Sequence, residues 1–307
     1  MAKKSSKIAL TYFITIFVTF IVIGGLGYLL LQYLQNPPSN SSAEDVALSP
    51  MDEQLSYAPT EANNVSTLFI FDSEKRLSGT CFMLVRTVAT ERKLVLMPLP
   101  ADTAAIVDGT ENSLYEFYRL GGAKKAVSAA ENCTGTKIDY YMKLNNDSFS
   151  SLVSIFGGID VNIPYNLIYT NPDTGEETIY REGSTYADSD VLRKILTYPL
   201  YTAGEEYRAK ILGVTSSDLV NKNVTSGFSN HVDDYFSAVI NSSVETNFTA
   251  YDYEEHSDAL KYIAESNERI AQLVTVTGAY NENNFFELDA NFVRAIPEWL
   301  GLNNYEE

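Results

Sequence analysis

The chain is poor in the side chains that most often carry chemistry by themselves. Only two histidines and two cysteines occur in 307 residues. His231 and His256 have no second His or Cys at ligand spacing, and a zinc site takes three or four such ligands. A zinc centre is therefore not expected, and both histidines read as surface or cap residues. No P-loop, dinucleotide fingerprint or nucleophile elbow is present, which removes the common nucleotide and serine-hydrolase readings. Positive charge is also scarce. Lysine and arginine number 22 against 40 aspartates and glutamates, a formal charge of −18. No nucleic-acid partner is expected, because phosphate-backbone recognition needs a basic footprint.

Over one stretch charge is missing altogether. From Ile8 to Leu34 the chain reads IALTYFITIFVTFIVIGGLGYLLLQYL, with no acidic or basic residue. About 20 such residues suffice to cross a bilayer. Lys3, Lys4 and Lys7 precede the span, and the next basic residue is Lys75. This asymmetry predicts a cytoplasmic N-terminus and a cell-membrane protein whose bulk lies outside. With those three lysines set aside, 19 basic residues face 40 acidic ones, a formal charge of −21. Residues 35–64 are rich in Ser, Asn and Pro, and Pro37, Pro38, Pro50 and Pro59 prevent a long helix. The expected organisation is a cytoplasmic tail (1–7), a transmembrane helix (8–34), an extracytoplasmic linker (35–64) and a folded domain (65–302).

The folded part is organised around Thr134–Pro164, TGTKIDYYMKLNNDSFSSLVSIFGGIDVNIP. Ile138, Tyr140, Met142 and Leu144 alternate with Asp139, Tyr141 and Lys143, the period of a strand. Phe149, Leu152, Val153 and Phe156 recur at helical spacing, with Asn146 or Asp147 as the expected cap. Gly157 and Gly158 end the helix, and Ile159, Val161 and Ile163 begin a second strand. The crossover is long enough for these strands to pair in parallel. Upstream, STLFIFDSEK, SGTCFMLVRTV and KLVLMPLP read as three strands. The near-continuous apolar runs CFMLV and LVLMPL imply burial on both faces.

Ser113 or Asn112 can cap a helix carrying Leu114, Phe117 and Tyr118, and a second helix follows Gly121-Gly122. Beyond Pro164 a hairpin is expected around Asn171–Gly175. Helices are expected over much of 184–222, over 228–244, after a Ser257 cap, and at Asp289–Trp299. The fold class is α/β: a single mixed β-sheet sandwiched by helices, preceded by one transmembrane helix. Cys81 lies in an expected buried strand and Cys133 near a helix end. A disulfide or two separate buried thiols are both open.

The segment KIDYYMKLNNDSFSSLVSIFGGIDVNIPYNL resembles the centre of the LytR–CpsA–Psr family, a bacterial cell-envelope domain. NSLYEFYRLGGAKKAVSAAENCTGTKID and IAQLVTVTGAYNENNFFELDANFVRAIPEWLG fit the same family, so the resemblance covers roughly Asn64 to Leu302. It implies a site that takes a glycopolymer from a polyprenyl-pyrophosphate carrier to peptidoglycan. Arginine forks or Mg²⁺ balance the pyrophosphate charge there, and an apolar tunnel holds the prenyl tail.

Against the family pattern, Arg-Ser-Asp-Thr becomes Leu77-Ser78-Gly79-Thr80, and Pro-Arg-Asp-Thr becomes Pro100-Ala101-Asp102-Thr103. A tyrosine followed by two alternating arginines becomes Tyr198-Pro199-Leu200-Tyr201-Thr202, and Arg-x-x-Arg-Gln survives at most as Arg208. The resemblance thus implies Asp102 as the catalytic acid and Mg²⁺ ligand. Arg208, Thr103, Tyr198 and, one position off its pattern, Arg76 are the implied ligand-binding residues. With several arginines and one acid gone, the expected function is binding of a polyprenyl-(pyro)phosphate-linked intermediate in envelope assembly, with weak or lost phosphotransferase activity. An active transferase, or a protein scaffold that binds no lipid, is the alternative. The expected partners are the membrane bilayer, the lipid-linked glycopolymer and peptidoglycan.

Overall fold

Three apolar runs make the middle of the main sheet. β1 (Val65–Phe71), β2 (Cys81–Val88) and β3 (Lys93–Leu99) form an antiparallel meander. The computed structural model describes residues 57–72, 79–171, 174–199, 201–202, 204–224, 227–241, 245–266 and 268–302. The expected membrane span lies outside these. Among the described residues, no helix is long and apolar enough to cross a membrane.

A short hairpin, β4 (Ala104–Val107) and β5 (Thr110–Ser113), leads into α1 (Leu114–Thr134). The Ser113 hydroxyl caps α1 by accepting from the Glu116 N–H at 3.1 Å. The helix breaks at Gly121-Gly122, where Gly122 has φ 66° and ψ −159°. Only glycine enters that region without steric cost.

β6 (Tyr140–Leu144), α2 (Asn146–Phe156) and β7 (Ile159–Ile163) follow. The expected parallel pairing of β6 with β7 does not occur. β6 runs parallel to β1, with Thr67 opposite Tyr140 and Phe71 opposite Leu144. Burial gives the reason. On β7 only Ile159, Val161 and Ile163 are buried, so one face stays wet. On β6 both Tyr141 and Met142 are buried, as a sheet covered on both sides requires. The α2 cap is Asn145 rather than Asn146 or Asp147. Its side chain accepts from the N–H groups of Asp147 and Ser148, at 3.1 and 2.9 Å.

β8 (Leu167–Thr170) and β9 (Glu177–Tyr180) form the expected hairpin. The stretch expected to be helical from 184 instead begins with β10 (Gly183–Ala187), which pairs antiparallel with β7. α3 (Ser189–Leu196) and α4 (Gly204–Asn223) come next. A 3-10 turn, Phe228–His231, then precedes α5 (Val232–Asn241). β11 (Glu245–Thr246) and α6 (Ala250–Ala264) follow. Thr249 caps α6, and Ser257 lies inside the helix rather than at its start. His256 is buried, not at the surface, with Nε2 3.5 Å from the Tyr140 hydroxyl. β12 (Ala271–Leu273), the hairpin β13 (Gly278–Tyr280) and β14 (Phe286–Leu288), and α7 (Ala290–Trp299) complete the chain.

The six-stranded sheet has the order β11-β6-β1-β2-β3-β12 and mixes parallel and antiparallel pairs. Alternation along β1 and β2 divides the core. Leu68, Ile70, Phe82 and Leu84 pack with Phe117 and Ala126 of α1 and with Ile296 of α7. Phe71, Cys81 and Met83 face the other way, toward Phe149 and Val153 of α2, Leu192 of α3 and Leu212 of α4. The mixed sheet between helix layers is as expected, but it is not single: β7 with β10, β8 with β9, β4 with β5 and β13 with β14 form separate two-stranded sheets. Cys81 and Cys133 are separate thiols, both pushed up to about 12 by burial.

Candidate functional site

Three connections converge on one cleft. The loop before β2 contributes Gly79 and Thr80, the loop after β3 contributes Asp102, and the first turns of α4 contribute Glu205 and Arg208. Tyr115, at the start of α1, completes a cavity of about 260 Å³.

Arg208 is 2% exposed, so its charge requires compensation. Glu205, three residues earlier on the same helix face, supplies it. Nε donates to Oε2 at 2.9 Å and Nη2 to Oε1 at 3.1 Å. Nη1 donates to the Leu196 carbonyl, and the Tyr201 ring centroid lies 5.0 Å from the guanidinium carbon. Gly79 packs on the same group. A Cβ there would lie 2.3 Å from the guanidinium carbon, so the position admits no side chain while Arg208 stays in place.

Asp102 is half-buried, and its Oδ1 has no hydrogen-bond partner. Burial pushes its carboxyl above the ordinary carboxylate range. A hydrogen bond from Tyr280 opposes that shift, and the charges of Glu205 and Glu206 add to it. Burial, followed by contact with Asp102, also pushes the Tyr280 hydroxyl up. A carboxyl raised in this way keeps its proton to a higher pH than an ordinary carboxylate.

The other expected site residues are placed differently. The Thr103 hydroxyl donates to the Pro100 carbonyl at 2.7 Å and is fully buried, so it fixes the turn that presents Asp102. Tyr198 packs against Tyr201, with ring centroids 5.5 Å apart, beside the cleft rather than in its lining. Arg76 lies outside the described residues. Among the described residues, no group of three or more His, Cys, Asp or Glu is arranged to hold a metal ion. Sequence reasoning missed Glu205 and Tyr280. The Glu-x-x-Arg spacing at a helix start was a usable signal for the first. Tyr280 reaches Asp102 through tertiary structure and leaves no local mark.

A second cavity, of about 210 Å³, opens between the sheet and α2, α3 and α4. Its walls are almost entirely apolar, with Phe69, Met83, Phe149, Val153 and Leu212 among them. Leu196 joins the two spaces. Its side chain lines the apolar cavity, and its carbonyl accepts from Arg208 in the charged cleft.

The LytR_cpsA_psr family profile matches residues 52–188. The polyisoprenyl-teichoic acid–peptidoglycan teichoic acid transferase TagU of Bacillus subtilis is 24% identical over 250 residues, 80% of each chain. Residues 52–188 of the chain belong to the LytR–CpsA–Psr family. A crystal structure of a protein from Eubacterium siraeum superposes on the chain with a TM-score of 0.69 at 21% identity, covering 85% of this chain and all of that one. Bacillus subtilis TagV superposes with a TM-score of 0.60 at 18% identity, covering 79% and 98%. At these identities the structural likeness is one of fold. That fold likeness reaches beyond residues 52–188 and covers most of the chain.

Proposed function

We propose that this LytR–CpsA–Psr protein is anchored in the cell membrane by Ile8–Leu34, with its domain outside. There it binds a polyprenyl-(pyro)phosphate-linked intermediate of envelope glycopolymer assembly. The observation that carries the reading is the junction at Leu196, where an apolar cavity meets a charged cleft. An amphipathic ligand with a long apolar tail and a phosphate head needs that juxtaposition. The similarity to TagU, a polyisoprenyl-teichoic acid–peptidoglycan teichoic acid transferase, supports the same ligand class.

The residues present fit a divalent cation. The unpartnered Asp102 oxygen stands in the cleft, and Mg²⁺ is commonly held by one or two carboxylates while phosphate and water complete the shell. Bound there, Mg²⁺ would offset phosphate charge. The chain's own contribution is positional. Asp102 stands where it can take a proton from an acceptor hydroxyl, and the Leu196–Arg208 wall sets the depth at which the phosphate stops.

Transfer is proposed to be weak. Arg208 is the only arginine in the cleft lining among the described residues, and Glu205 already holds it. Losing one preorganised charge-stabilising donor commonly costs about 10²–10³ in rate. The test supplies the full-length chain in detergent with polyprenyl-pyrophosphate-linked oligosaccharide, Mg²⁺ and peptidoglycan. Slow or absent transfer is expected. Transfer as fast as that of TagU, lost in Asp102→Ala, would overturn the assignment of weak activity.

A further inference from the structure

Glu205 sits where an incoming phosphate would have to bind. The paired Nε and Nη2 hydrogens of Arg208 meet its two carboxylate oxygens at 2.9 and 3.1 Å. A guanidinium fork of this shape donates to two phosphate oxygens as readily as to two carboxylate oxygens. The other sides of the guanidinium are occupied. Tyr201 covers one face, the Leu196 carbonyl takes Nη1, and Gly79 packs so closely that a Cβ would collide. Glu205 therefore holds the edge that Arg208 offers to an anion in the cleft. The two partners differ in freedom. The Arg208 side chain is 2% exposed and Glu205's is 29% exposed, so the carboxylate is the one free to leave.

We propose that Glu205 is an internal stand-in for a phosphate group, competing with phosphate-bearing ligands for Arg208 and so setting the affinity of the cleft. The inference rests on the reading of the cleft as a phosphate site. Glu205 and Glu206 both lie close enough to Asp102 for their charges to act on it. A bare anion entering the cleft must therefore overcome both the occupied fork and like charge. Removing the Glu205 charge relieves both at once.

The test measures inorganic pyrophosphate binding by titration calorimetry, using the full-length chain in detergent with EDTA present. Glu205→Gln keeps the shape and one acceptor for Arg208 but removes the charge. It is expected to bind pyrophosphate at least about tenfold more tightly than the parent chain, the scale of one charge-assisted hydrogen bond. Glu205→Asp keeps the charge but is too short to span both nitrogens at the same geometry. It is expected to fall between the two, and it carries the test if the glutamine variant does not fold. Equal or weaker binding in the variant would overturn the role of Glu205 while leaving the phosphate cleft standing. No binding to either folded protein would overturn the phosphate cleft itself, and this inference with it.

Discussion

The Leu196 carbonyl accepts a hydrogen bond from buried Arg208 while the Leu196 side chain lines an apolar cavity. One residue is thus the wall between a charged space and an oily one. The last turn of α3 positions it, and the first turns of α4 position the arginine. The proposed ligand would place its tail on one side of this backbone and its head on the other.

This separation predicts that the two spaces can be altered independently. Val153 is buried on α2 and lines the apolar cavity. Val153→Trp fills part of that cavity, at an overpacking cost of about 1–3 kcal/mol. Retention of a radiolabelled polyprenyl phosphate should be lost, while inorganic pyrophosphate affinity stays as in the parent chain. Retained lipid would place the tail elsewhere.

Asp102 predicts a pH dependence of stability. Burial raises its carboxyl in the folded chain, with the Tyr280 hydrogen bond only partly opposing. A carboxyl raised in the folded state binds its proton more tightly there than in the unfolded state. Stability therefore falls as pH rises from the unfolded carboxylate's pKa through the folded one, and the full cost persists above it. Asp102→Asn removes the ionisation and keeps an acceptor for Tyr280. Thermal unfolding should show the variant more stable than the parent at about pH 8, the difference vanishing below about pH 4. A variant less stable at the higher pH would mean that a partner compensates the charge.

The start of α6 is a test of local structure. Thr249 accepts from the Asp252 N–H at 3.3 Å, and Asp252 accepts from the Thr249 N–H at 2.7 Å. Losing such a cap costs about 0.5–2 kcal/mol. Thr249→Ala should lower the denaturation midpoint accordingly. Ser257→Ala, inside the same helix, should change stability by no more than about 0.5 kcal/mol.

The Ser257 expectation shows where sequence legibility ended. Its error was to start α6 just before the apolar stripe of Leu260, Ile263 and Ala264, when the helix begins about two turns earlier on mostly polar residues. Elements with a strong period and a glycine stop were readable, as α2 and its Gly157 end show. So was β3, whose run LVLMPL is apolar in both registers and buried from Val95 to Leu99. The partner of β6 was not readable. Thr67 and Tyr140 meet through a parallel pairing whose energy resides in the closed sheet. In the candidate site, Asp102 and Arg208 were legible through the family pattern. The Glu205 clamp, the close approach of Gly79 and the Tyr280 contact depend on atoms brought together only by folding.

Native mass spectrometry of the full-length chain, extracted in a mild detergent from its own membrane, tests the central claim most directly. The account predicts a bound species carrying the mass of a polyprenyl phosphate or pyrophosphate, reduced in Val153→Trp. Clean apo protein from equally mild extraction, unchanged after incubation with polyprenyl phosphate, would contradict it.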